Sequence, residues 1–295
     1  MSKATCPPAE QFQLSRRTPT AIKKLDAFVS HLHRLLHTRE GLDETLLFLA
    51  YTTQLTASLL DIPNPALIQT LARRLVARAP EWLAARASSS LSSLFTTNLR
   101  LRLSTQLRAL VDMLDGWHTM SRLWGLVTMW MIVRDFVKAS QRETKEKQEG
   151  VEGRLVRQAE SAIVATQIVS LIGFFALENT AWLSRLKVLT WSPNHQSKII
   201  LWSGRSWAVY IFAELGKLML ERVRKRGNSE SMGSLEEWNK KFVSTLAWAP
   251  VSIHWTSPGG LLPESVAAGL AAYAQFISVQ GLWKQTAKEH TVEVV

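Results

Sequence analysis

The sequence predicts an all-α membrane protein, with amphipathic helices in its N-terminal half and one or two apolar membrane helices in its C-terminal half. Three observations predict it. Apolar residues recur at helical spacings of three and four through most of the chain, beginning with Ile22, Leu25, Val29, Leu32 and Leu36. Two windows, 161–177 and 265–283, run seventeen and nineteen residues without a charge, which approaches the length that crosses a bilayer. Twelve tryptophans accompany three tyrosines, and the net charge is +11. Tryptophan favours membrane–water interfaces, and a strongly basic chain is drawn to anionic surfaces.

Residues 1–17 are polar, include Pro7-Pro8 and are expected to be disordered. The single cysteine, Cys6, lies there, which excludes an intramolecular disulfide framework. No apolar core of a secretory leader is found in the first 20 residues. Thr18 as N-cap and Pro19 at the first helical position then start a helix that runs to about Thr38. His33 and His37 share one face of it, and His31 lies nearby. No cysteine accompanies them, and the glutamate of a zinc-protease helix is missing, so they read as polar positions rather than metal ligands. Gly41 interrupts the apolar pattern, and Leu42, Leu46 and Leu49 resume it. Two helices are therefore expected to meet at Arg39-Glu40-Gly41, with Asp43 and Glu44 in the first turn of the second.

Asp61-Ile62-Pro63-Asn64-Pro65 closes that second helix, and a third is expected over 66–79. Its apolar arc is Leu67, Ile68, Leu71, Leu75 and Val76. Arg73 and Arg74 lie outside the arc and Arg78 at its edge, a pattern suited to a helix lying in a bilayer interface. A surface helix packed on a core produces the same pattern. After the serines at 88–93, a long basic amphipathic helix follows, with Leu99, Leu103, Leu107, Leu110 and Leu114 beside Arg100, Arg102 and Arg108. It is the second candidate for membrane binding. Residues 116–137 hold Trp117, Trp124 and Trp130, but only eleven residues separate Arg122 from Arg134, too few to span.

Residues 138–160 are densely charged with mixed sign and include Gly150 and Gly153, which makes them the best internal boundary. The expected organisation is a disordered 1–17, an amphipathic membrane-surface region 18–137, a charged linker 138–160 and a membrane-associated region 161–295. Within the last, 161–177 is the most apolar window. Trp191-Ser192-Pro193-Asn194 reads as a turn and 199–220 as an amphipathic helix. Arg222, Arg224, Lys225 and Arg226 form a basic cluster fit for anionic lipid or for a membrane-protein import receptor. Pro250, Pro258 and Pro263 argue against one straight helix over 242–263. Small residues crowd 265–283, among them Ala267, Ala268, Gly269, Ala271 and Ala274, and would let helices approach closely in a membrane. If both windows span, residues 179–263 carry eleven Lys/Arg against five acids between them, and the positive-inside rule keeps such a segment cytosolic. Two spans with cytosolic termini would place it in the lumen instead.

Two segments carry a family resemblance. Thr38-Arg39-Glu40-Gly41-Leu42-Asp43-Glu44-Thr45-Leu46, running on to Ala50-Tyr51 after an amphipathic helix, resembles the signature of the peroxin-11 family, and most of all its divergent fungal members. Arg39, Glu40, Gly41, Asp43 and Thr45 are the motif residues. Leu262-Pro263-Glu264-Ser265-Val266, opening a small-residue helix that ends at Trp283, looks like that family's C-terminal membrane segment. The middle of the chain matches weakly. The resemblance implies a peroxisomal membrane protein that elongates and divides the organelle. It also implies an N-terminal-half amphipathic helix that bends the membrane. The C-terminal Glu293-Val294-Val295 is not a matrix address, which a membrane protein of that organelle does not need.

Catalytic patterns are missing from the sequence: it has no phosphate loop, no Gly-x-Ser-x-Gly and no Cys/His nucleophile pair. Asp112 and Asp115, three apart, read as carboxylates on a solvated face. Nucleic acid is not an expected partner, because the tryptophans cluster in apolar windows rather than among basic residues. No enzyme activity, cofactor or metal is expected. The expected partners are an anionic phospholipid membrane, further copies of the chain, fission machinery and an import receptor. A membrane pore and a basic soluble helical scaffold are the alternatives.

Overall fold

A computed structural model describes residues 20–62, 97–146, 151–225 and 232–293, and these residues form seven α-helices and no strand. Residues 1–17, the helix expected over 66–79, the serines at 88–93 and most of the glycine/serine loop after Arg226 lie outside the described residues.

Helix α1, Thr20–His37, ends where Thr38 leaves helical geometry at φ −85° and ψ 140°. Helix α2, Arg39–Asp61, starts at once. The Gly41 N–H donates to the Thr38 hydroxyl oxygen (3.1 Å), and that hydroxyl donates to the Leu35 carbonyl (2.8 Å). Thr38 therefore serves both helix ends, as a threonine N-cap can. The break falls at Thr38, and Arg39-Glu40-Gly41 form the first turn of α2 rather than the junction. Gly41 has a different task. A Cβ there would lie 2.2 Å from the Leu35 carbonyl oxygen, so only glycine lets α1 close against α2. Gly41→Ala is expected to cost about 1–3 kcal/mol, seen as a lower melting temperature in detergent. Gly216→Ala, whose Cβ would meet nothing within 4 Å, serves as the control.

Helix α3, Thr97–Glu146, has 50 residues and is about 75 Å long. Helix α4, Val151–Arg185, begins four residues later, so much of the expected charged linker 138–160 is helix end. Lys187, at φ 62°, terminates α4 in a left-handed turn, with its N–H and that of Val188 bonded to Ser184 and Leu183 carbonyls at 3.0 and 2.9 Å. Helix α5, Pro193–Lys225, begins inside the stretch expected as a turn and extends past the expected 199–220, because the Ser192 hydroxyl accepts from the His195 N–H (3.4 Å) and proline suits the first helical position. Helix α6, Met232–Trp255, passes through Pro250, against the expectation that the prolines divide 242–263. Proline removes one backbone bond, but Ala249 before it and Val251 and Ser252 after it are buried, so packing on both flanks holds the helix through it. Pro258 and Pro263 do end it, and Gly259 and Gly260 turn the chain at φ 78° and 74°. Helix α7, Glu264–Glu293, follows.

Helices α2 to α7 form a closed ring. Each packs on the next, α7 returns to α2, and α1 lies outside against α2 and α7. Every seam carries a polar link. Arg108 joins α3 to Asp61 of α2 (2.7 Å) and to Glu264 of α7 (2.8 Å). Arg122 pairs with Glu178 across α3–α4, and Gln167 donates to Glu214 across α4–α5. Lys241 reaches Glu214 across α5–α6 (2.6 Å), the Ser244 hydroxyl donates to the Ala274 carbonyl across α6–α7 (3.3 Å), and Gln275 donates to Glu44 across α7–α2.

Two helices are long and apolar enough to cross a membrane: Arg157–Arg185 within α4 and Glu264–Lys288 within α7. The apolar window of the first is only 17% buried inside the fold, unlike the core helix of a soluble protein. The whole ring shares this inversion. Among the described residues, eleven of the seventeen buried apolar residues are alanine, while Gln167, Asn179, Glu214, Thr245, Ser252 and Gln275 are buried. The large apolar side chains point outward, as with Trp124 at 67% exposed and Trp130 at 69%. A soluble bundle sorts its side chains the other way.

Candidate functional site

The ring surrounds a half-open cavity of about 1110 Å³, to which all six of its helices contribute side chains. Its wall is rich in ionisable groups. Six acids line it, Glu44, Asp112, Asp115, Glu178, Glu214 and Glu237, against Arg122, Lys240 and Lys241. The interior is thus acidic inside a chain of net charge +11. Arg122 neutralises Glu178, and its guanidinium sits 4.7 Å above the Phe174 ring. Lys241 neutralises Glu214. Burial alone would raise the Glu214 pKa, but the bonds from Lys241 and Gln167 outweigh it and hold the carboxyl below its ordinary value. Glu44, Asp112, Asp115 and Glu237 have no ion pair among the described residues. Burial raises the pKa of Glu44, which Gln275 partly offsets, and burial also raises that of Asp115 against the nearby Arg122 and Arg185.

His118 lines the same wall with both ring nitrogens buried and without a hydrogen-bond partner among the described residues. Burial, reinforced by the charge of Arg122, pushes its pKa down to about 3, so the ring is neutral at physiological pH.

Four aromatic rings close one side of the cavity. Trp248 meets Tyr51 at 5.5 Å and 69° and Trp207 at 5.1 Å and 88°, and Trp255 lies 5.2 Å from Trp207 and 6.3 Å from Trp248. Tyr51 connects this corner to the charged wall, because its phenol feels Arg122, Asp115, Glu178 and Glu44.

The sequence candidates fall elsewhere. Leu67, Ile68, Leu71, Arg73, Arg74, Leu75, Val76 and Arg78 lie outside the described residues. In α3, Leu99 and Arg102 are exposed and Leu103 is half-buried. Arg100 turns inward and donates to the Ile62 carbonyl at 3.2 Å. Leu114, at the end of the same leucine stripe, is buried. The outward apolar stripe of α3 is instead Met113, Trp117, Met120, Trp124, Val127 and Met131, at alternating steps of four and three. Helix α1 exposes a shorter one, Ile22, Leu25 and Val29. Arg222 stacks 5.5 Å from the Trp238 ring, and Arg224 bonds Glu160 at 3.0 Å.

The motif residues hold the α1–α2 corner in place. Arg39 donates to the Ser121 carbonyl of α3 (3.0 Å), and the Thr45 hydroxyl donates to the Gly41 carbonyl (2.6 Å). Glu40 is exposed and Asp43 half-buried. His31 stacks on Trp283 at 3.9 Å and bonds the Thr286 hydroxyl at 2.9 Å, which docks α1 on α7. The His33 and His37 rings stack on each other at 5.4 Å.

Sequence reading missed the cavity. Its wall residues stand on separate helices, and Asp115 carries no local sign that it faces a cavity. The charges inside 116–137 and 199–220 were the available signal, since an ionisable group on an otherwise apolar helix marks an inward face. No protein-family model, curated protein or solved structure matches this chain.

Proposed function

We propose that this protein resides in the peroxisomal membrane and remodels it, elongating, proliferating and dividing the organelle. The observation that carries this reading is the inverted surface of the helical ring, which suits lipid on the outside. The two segments bearing the peroxin-11 resemblance also support it, since they pack together through Glu44 and Gln275, 231 residues apart in the chain. In the proposed mechanism α4 and α7 anchor the chain. The apolar stripes of α1 and α3, and the 66–79 helix, press among the acyl chains while basic residues meet anionic headgroups. Area added to one leaflet bends the bilayer. The groove between α4 and α5, lined by Ala162, Ala208, Ala213 and Gly216, is shaped for close helix contact between copies, which would concentrate the wedges. Fission machinery and an import receptor are the proposed protein partners.

Alkaline carbonate extraction of a purified organelle fraction tests the membrane assignment: the protein is expected to stay in the pellet with a peroxisomal membrane marker, and release would sink the proposal. Tubulation of anionic vesicles by the reconstituted full chain tests remodelling. Leu71→Asp with Leu75→Asp is expected to abolish it, and unchanged tubulation would exclude the 66–79 helix as the wedge.

The closed ring around a cavity lined in part by ionisable groups favours a second reading, a conduit for small polar solutes through the same membrane. Swelling of reconstituted liposomes in permeant solutes, in the absence of tubulation, would favour it.

A further inference from the structure

We propose that the cavity of the helical ring binds a quaternary ammonium cation in the corner formed by Tyr51, Trp207, Trp248 and Trp255. The site requires the cavity but neither transport through it nor membrane bending. Three features on the wall converge. Tyr51, Trp207, Trp248 and Trp255 all line the cavity, and the edge-to-face pairs Trp248–Tyr51 (69°) and Trp248–Trp207 (88°) turn their ring faces in different directions. Ring faces carry the negative end of the aromatic quadrupole, and such corners hold alkylated ammonium groups whose charge cannot be satisfied by hydrogen bonds. Carboxyl groups outnumber cations on the wall around Tyr51: Arg122 answers Glu178, while Glu44 and Asp115 have no ion pair among the described residues. His118 adds no opposing charge, being neutral.

The same wall already holds one organic cation. The Arg122 guanidinium, 4.7 Å above Phe174 and paired with Glu178, uses the combination of ring face and carboxylate that the ligand would use. A divalent metal fits poorly, since among the described residues no three His, Cys, Asp or Glu side chains gather closely enough to hold one. The cavity, at about 1110 Å³, is far larger than a trimethylammonium group, so it admits either a free cation such as choline or the headgroup of a choline phospholipid.

The test uses the full-length protein in a maltoside detergent free of choline lipids. Calorimetric titration with choline is expected to show saturable binding. Its neutral isostere 3,3-dimethylbutanol should bind about tenfold more weakly or worse, the loss of a desolvated cation–π contact. Trp248→Leu and the pair Glu44→Gln with Asp115→Asn should each weaken choline by a similar factor, with folding checked by circular dichroism. Repeating the titration in nanodiscs separates the sources. Choline binding kept in phosphatidylethanolamine discs but lost in phosphatidylcholine discs identifies the lipid headgroup as occupant, and equal binding in both identifies the free cation. Absence of choline binding in detergent and in phosphatidylethanolamine discs would overturn the proposal. So would equal affinity for the neutral isostere, a comparison on wild type that survives any folding defect in the variants. Folded variants that bind choline as wild type does would overturn it too.

Discussion

Arg122→Met is expected to destabilise the folded protein by about 3 kcal/mol. Arg122 links α3 to α4 through Glu178 and covers the Phe174 ring, and both members of the pair are shielded, with side chains 19% and 25% exposed. Methionine keeps the apolar stem of the side chain but leaves Glu178 charged and unpaired in the more apolar of the two membrane-length helices. The cost is mostly that stranded charge, not the lost attraction. Arg122→Met with Glu178→Gln should therefore recover most of the stability. Thermal unfolding in detergent of wild type, both single variants and the double variant measures the coupling. Additive single effects would show that the two groups do not act as a pair.

Acidification supplies the second large effect. His118 has its pKa depressed from 6.5 to about 3, through burial and then the charge of Arg122. In the unfolded chain it takes up a proton near its ordinary value, whereas in the folded chain it resists until far lower pH. The unfolded state binds more protons throughout that window. Stability contributed by neutral His118 is complete above about pH 6.5 and is lost as pH falls toward 3. Between pH 6.5 and 4 the loss amounts to about 3 kcal/mol. Glu44 and Asp115 oppose it, because their raised pKa values let the folded state take up protons more readily as the pH falls. The clean readout is thus the difference between wild type and His118→Leu, with stability measured at each pH. The wild-type profile should fall more steeply on the acid side, and parallel profiles would refute the assignment.

The sequence by itself determined the helical class and the two membrane-length helices. These depend on interactions within about four residues. Asp61-Ile62-Pro63 can close α2, Pro263 can open α7 at Glu264, and an apolar run can be counted without knowing what lies beside it. Even locally the reading slipped where a distant contact decided: Gly41 marks a close approach to the Leu35 carbonyl rather than a helix end, and Pro250 sits inside a helix held by its neighbours.

The tertiary structure alone decided which face of each helix turns inward. Asp115 resembles any carboxylate on an outer face until the ring places it on the cavity wall, and Glu44 resembles a helix-capping acid until Gln275 reaches it from 231 residues away. A closed ring has no local signature, because each seam joins residues on separate helices, through an ion pair, an amide–carboxylate bond or a serine to a carbonyl. Helical periodicity reports that a face is apolar, but the same stripe satisfies a protein core or a lipid tail. Only the packing of six helices shows that here the polar faces meet one another and the apolar ones meet the outside.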